Sequence, residues 1–115
     1  MQIRYMEKRG LIARELERCA RATPMQRPTY TEFGARVGIP PQGPWQPVLD
    51  SIANDADKVG MPDLTFLIRN ARTGYPSRIG RVTRRQPTDD QKKIARKKMQ
   101  EIIDKYNPGT PNPFK

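Results

Sequence analysis

Twelve prolines and eight glycines divide this chain of 115 residues into short segments. Proline fixes its own φ and has no N–H to give, so each one starts, ends or turns an element. The longest uninterrupted apolar runs, Leu11-Ile12-Ala13 and Phe66-Leu67-Ile68, are three residues long. A membrane helix needs about twenty apolar residues and a signal peptide about seven to fifteen, so neither is expected, and the chain reads as a soluble, cytoplasmic protein. It is one domain, or a domain with appended arms, with a single modest core.

The residues that are missing narrow the chemistry. Without histidine, Ser-His-Asp or Cys-His catalysis and histidine metal sites are excluded. The single cysteine, Cys19, can form neither an internal disulfide nor a thiolate zinc cluster. Asp55 and Asp57 do not share a helix face, and beyond Asp50 no further carboxylates accompany them, so no metal site is expected. The chain is read as a non-enzyme without catalytic residues, metal or cofactor.

Four helices follow from periodicity and caps. Residues 3–22 place Tyr5, Ile12, Leu16, Cys19 and Ala20 on one face, and Pro24 ends the run. Thr29 and Glu32 have capping-box spacing ahead of a short helix with Tyr30, Phe33 and Val37 inward. Gly38 supplies its left-handed stop, with Ile39 in the Schellman position. After the rigid turn Ile39-Pro40-Pro41-Gln42-Gly43-Pro44, a third helix runs from about Trp45 to Val59. Its expected inner stripe is Val48, Leu49, Ile52, Ala53, Ala56 and Val59. Thr88 and Gln91 cap a last helix with Ala95, Met99, Ile102, Ile103 and Tyr106 inward and Lys92, Lys93, Arg96 and Lys97 outward.

Leu64–Ile68 and Ser77–Val82 alternate apolar and polar residues and are predicted to be the strands of a hairpin, joined by a connection with turn formers Asn70, Gly74 and Pro76. The expected fold is mainly α with a β-hairpin: a winged helix-turn-helix with a long N-terminal helix and a basic C-terminal helix. The parts are an N-terminal helix and loop (1–28), a winged-helix core (29–86), a basic helix (87–107) and a flexible tail (108–115).

Within 29–76, Thr-Tyr-Thr-Glu-Phe-Gly at 29–34 is followed by Gly38-Ile39-Pro40, Val48-Leu49-Asp50-Ser51-Ile52, Pro62-Asp63-Leu64-Thr65, Ile68-Arg69-Asn70 and Thr73-Gly74-Tyr75-Pro76. This stretch resembles small bacterial and phage proteins whose shared segment is similar to the winged-helix DNA-binding part of alkylguanine-DNA alkyltransferases and alkyltransferase-like proteins. The resemblance implies that fold and nucleic-acid binding. It does not extend to alkyl transfer: where those enzymes carry Pro-Cys-His-Arg, this chain reads Leu64-Thr65-Phe66-Leu67-Ile68-Arg69, with no thiolate acceptor.

Charge points to a partner. The net charge is +10, yet residues 1–60 carry only +2, and the segment from Arg69 to Lys98 holds eleven basic residues against Asp89 and Asp90. A positive field focused in this way draws polyanions, so nucleic acid is the expected partner, DNA ahead of RNA. The candidate contacts are Arg69, Arg72, Arg78 and Arg81 on the wing, Arg84 and Arg85 after it, and Lys92, Lys93, Arg96 and Lys97 on the last helix. Tyr75 is a candidate for stacking on a base, and Asn54, on the third helix, for reading an adenine. Two further readings stand beside this one. A phage-type protein could regulate or inhibit a host defence or nucleic-acid-processing complex through an acidic protein surface; an RNA- or ribosome-binding protein would share the same charge. The oligomeric state is left open by the sequence.

Overall fold

A computed structural model of the chain describes residues 5–114, and it is mainly helical. Four helices follow in order: α1 (Arg9–Arg21), α2 (Tyr30–Val37), α3 (Gln46–Lys58) and α4 (Asp89–Tyr106). Single 3-10 turns stand at Met6–Lys8, Leu64–Leu67 and Ser77–Ile79. The first two residues of the predicted helix 3–22 lie outside the described residues, as does Lys115.

The caps form as the sequence requires. In α2 the Thr29 Oγ1 accepts from Glu32 N at 3.2 Å, while Thr29 N donates to Glu32 Oε1 at 2.9 Å. At its other end Gly38 adopts φ 76°, and Gly38 N and Ile39 N both donate to Gly34 O, at 2.8 and 3.0 Å. Gly34 is needed for this approach, since a Cβ there would lie 2.2 Å from the Ile39 carbonyl oxygen. The turn that follows carries Trp45 back over α2, its ring 5.2 Å from Tyr30 and 6.0 Å from Phe33 between centroids. At the start of α4, Thr88 and Gln91 make the second reciprocal cap, at 2.9 and 3.1 Å.

One core is built from the apolar faces of these elements. Ile12, Leu16, Cys19 and Ala20 of α1 meet Phe33 and Val37 of α2, Val48 and Leu49 of α3, and Ala95, Met99, Ile102 and Ile103 of α4. The stripe of α3 fades along its length: Ile52, Ala53 and Ala56 are half-buried and Val59 is 72% exposed.

The two predicted strands are absent. Asp63 Oδ1 accepts from Thr65 N at 2.9 Å and Thr65 Oγ1 at 2.5 Å, which winds Leu64–Leu67 into a 3-10 turn. Thr65, Phe66, Leu67 and Ile68 are then all buried, a burial on every side that alternation cannot describe. This turn packs against α1, α3 and α4 and forms the centre of the core. In the second segment Ser77–Ile79 is a 3-10 turn, and Gly80 at φ 101° breaks the backbone before Arg81. What remains of the hairpin is an isolated antiparallel bridge between Arg69 and Pro76, beside a parallel one between Thr29 and Arg69. Between them the loop 70–75 is organised by Asn70, whose Oδ1 accepts from Arg72 N and Thr73 N.

The C-terminal segment is also unlike its composition. Asn107 Nδ2 donates to Ala20 O at 3.0 Å and Ala22 O at 2.7 Å, satisfying carbonyls that α1 leaves open at its end. Asn112 Nδ2 donates to Arg96 O and Gln100 Oε1, and Phe114 stacks on Tyr75 at 4.9 Å. The tail thus runs back along α4 to the 70–75 loop.

Candidate nucleic-acid interface

The arginines gathered by sequence position separate into two sets in space. Arg69 is structural: its Nε donates to Arg27 O at 2.7 Å, and its Nη2 lies 3.6 Å from Glu32 Oε1. Arg78 pairs with Asp50 of α3 at 2.6 Å, and its side chain is only 18% exposed. This pair pins the Ser77–Ile79 turn to α3. Arg72, Arg81, Arg84 and Arg85 are exposed and have no carboxylate within ion-pair distance among the described residues.

A cleft of about 570 Å³ lies between the start of α3 and the segment 70–82. Arg72, Arg78 and Arg81 line it together with Tyr30, Gln46, Asn70, Thr73 and Ser77, and among the described residues no carboxylate belongs to its lining. Ser77 Oγ donates to the Tyr30 hydroxyl at 2.7 Å; burial pushes that phenol's pKa up, against a smaller opposing effect of the Ser77 hydrogen bond. Arg72 also lines a neighbouring depression with Thr83, Arg84, Arg85 and Gln86, so the cationic surface continues past the cleft. Gln91 Nε2 donates to Arg81 O at 2.9 Å and ties the first turn of α4 to this track.

The other candidates fall elsewhere. Tyr75 presents one ring face to Phe114, and Arg27 sits 5.2 Å above the Phe114 ring. Burial, and then the neighbouring Arg69, press the Arg27 pKa down. Asn54 lines a different cleft with Asp57, Asp63, Glu101 and Asp104, apart from the arginines. Lys93, Arg96 and Lys97 line an open depression on α4 with Gln100, Glu101 and Asp104, so that cationic face turns acidic toward the helix C-terminus. Lys92 is half-buried at the helix start.

Tyr30, Gln46, Asn70, Thr73 and Ser77 were not marked by sequence reasoning as site residues. Tyr30 and Gln46 reach the cleft from elements far from it in the chain, and their local patterns read only as a buried stripe and a helix start. Among the described residues no helix is long and apolar enough to cross a membrane, and no group of three or more His, Cys, Asp or Glu is placed to hold a metal ion. No protein-family profile, curated protein or solved structure matches this chain.

Proposed function

We propose that this is a non-enzymatic nucleic-acid-binding protein that takes duplex DNA by its phosphates. The observation that carries the reading is the cleft lined by three arginines and, among the described residues, no carboxylate, continuous through Arg72 with Arg84 and Arg85. Guanidinium groups make charge-assisted, bidentate bonds to phosphate, and contacts of this kind position a protein on DNA without reading sequence. The order of α2, a tight turn and α3, followed by the 70–75 loop, supports a winged-helix relationship. So does the resemblance of residues 29–76 to the DNA-binding part of the alkyltransferases. Of the α3 carboxylates that would oppose a phosphate backbone, Asp50 is held by Arg78, while Asp57 lines the separate cleft with Asn54.

Fluorescence anisotropy with random-sequence duplex DNA, single-stranded DNA and structured RNA tests the proposal. Duplex DNA is expected to bind best. Because Arg72 and Arg81 carry no ion pair among the described residues, Arg72→Ala/Arg81→Ala should fold normally and lose roughly tenfold in affinity. Arg69 and Arg78 are unsuitable probes, since their removal would disturb the loop itself. Unchanged binding by a folded double variant would overturn the assignment of the cleft. A preference for RNA, or weak binding to all three probes at physiological salt, would overturn the duplex reading.

A further inference from the structure

We propose that the arginine cleft receives a terminal phosphomonoester, so that the protein holds a nucleic acid by its end. The inference rests on the nucleic-acid reading above and specifies which phosphate the cleft takes. Its starting point is shape. Phosphates inside a duplex stand on a convex ridge and suit open cationic surfaces. The cleft is instead a concavity of about 570 Å³, within the roughly 300–1,000 Å³ typical of pockets for small ligands. A phosphate at a strand end brings one neighbouring nucleotide to such a concavity, and an internal one brings two.

The charge supports the same ligand. An internal phosphodiester carries one negative charge, and a terminal phosphate carries about −1.5 to −2 at pH 7, with three strong acceptor oxygens. The cleft offers three guanidiniums, two of them uncompensated among the described residues and the third, Arg78, paired with Asp50. Arg78 is already oriented by Asp50 at 2.6 Å, and one such bond leaves most of its five N–H donors unused. Arg72 and Arg81 stand free of carboxylates among the described residues. The hydroxyls of Tyr30 and Ser77, 2.7 Å apart, add neutral polar groups to the same lining.

The pH dependence separates ligand from protein. The charged or titratable groups facing this site are Arg72, Arg78, Arg81 and Tyr30, with Asp50 behind Arg78. The chain contains no histidine, and burial moves the Tyr30 phenol upward, away from neutral pH. The second ionisation of a terminal phosphate falls near pH 6. A preference that fades as pH drops through that value therefore reports the phosphate.

The experiment compares one short labelled duplex carrying 5′-hydroxyl, 5′-phosphate or 3′-phosphate ends, by anisotropy at pH 7.5 and 5.5. A phosphorylated end is expected to bind roughly tenfold more tightly at pH 7.5, with the gap narrowing severalfold at pH 5.5, and the two phosphorylated arms show which end is held. Arg72→Ala/Arg81→Ala should bind all three duplexes alike. Equal affinity of the wild-type protein for hydroxyl and phosphate ends overturns this proposal and leaves the nucleic-acid reading standing. Failure to bind any of the duplexes overturns both.

Discussion

At the scale of single residues, the function of each arginine depends on which carboxylate it meets. Sequence position groups Arg69, Arg72, Arg78 and Arg81 together, yet two of the four are held by Glu32 and Asp50. Those partners lie 37 and 28 residues away, a separation that no local pattern encodes. The densest such knot is Glu15, which accepts from Arg18 at 2.5 Å and from Arg36 at 3.1 Å, beside the buried Cys19. The Arg18 hydrogen bond, opposed by burial and reinforced by Arg36, holds the Glu15 carboxyl below its ordinary pKa. Burial, and then the charge of Glu15, push the Cys19 thiol up, in keeping with an inert core residue. A carboxyl depressed in the folded state stabilises the fold above its unfolded pKa of about 4.3, and that contribution disappears as pH falls through the folded value. Glu15→Gln should therefore cost about 1–2 kcal/mol at pH 7, and urea titrations repeated below pH 4 should find the gap closing. A gap that stays constant across that range would mean that Glu15 acts through packing alone.

At the scale of elements, what the sequence makes legible is what local chemistry decides. The α2 and α4 boundaries follow from Thr29 with Glu32, Gly38, and Thr88 with Gln91, because a cap is a bond between residues three or four apart. The strands were misread because alternation at 64–68 is also compatible with a run buried on all sides, and only the surrounding helices choose between them. The tail's contacts were not legible, because three prolines exclude a helix but say nothing of Asn107, Asn112 and Phe114 finding partners in α1, α4 and the loop. The arginine cleft was half legible: its cations were visible as charge, and its walls, Tyr30 and Gln46, were not. Two glycines illustrate how far local rules reach. At Gly10, near the start of α1, an added Cβ meets nothing closer than 3.6 Å, and at Gly34 it meets the Ile39 carbonyl oxygen at 2.2 Å. Helix propensity alone favours alanine at both. The structure predicts opposite signs: Gly10→Ala should stabilise by about 0.5 kcal/mol, and Gly34→Ala should destabilise by about 2–3 kcal/mol as the turn is forced away from α2. Thermal or urea unfolding of the two variants checks this, and a neutral Gly34→Ala would show that the 39–45 turn yields more readily than its packing implies.

At the scale of the whole molecule, the question is how much of a net charge of +10 can act on one ligand at once. The molecule measures 40 × 32 × 26 Å, so even its longest dimension spans only about 12 base pairs at 3.4 Å each. The free cations do not form a uniform coat. Arg72, Arg81, Arg84 and Arg85 form one track, whereas Lys93, Arg96 and Lys97 lie on an α4 face that ends in Glu101 and Asp104. Counterion release distinguishes these surfaces, because the slope of log Kobs against log salt is about −0.9 for each phosphate neutralised on B-DNA. If the arginine track alone meets the backbone, the slope should be about −3 to −4. Replacing Lys93, Arg96 and Lys97 with glutamine would then leave the slope unchanged, and replacing the four arginines with glutamine would flatten it toward zero. A wild-type slope of about −6 or steeper, reduced by the α4 substitutions, would instead place the helix against the same DNA. The two surfaces would then have to be bridged by a bent duplex or by two protein copies. The smaller slope is expected, since Arg72 joins the cleft to the depression that holds Arg84 and Arg85, while Lys93, Arg96 and Lys97 line a separate depression on α4.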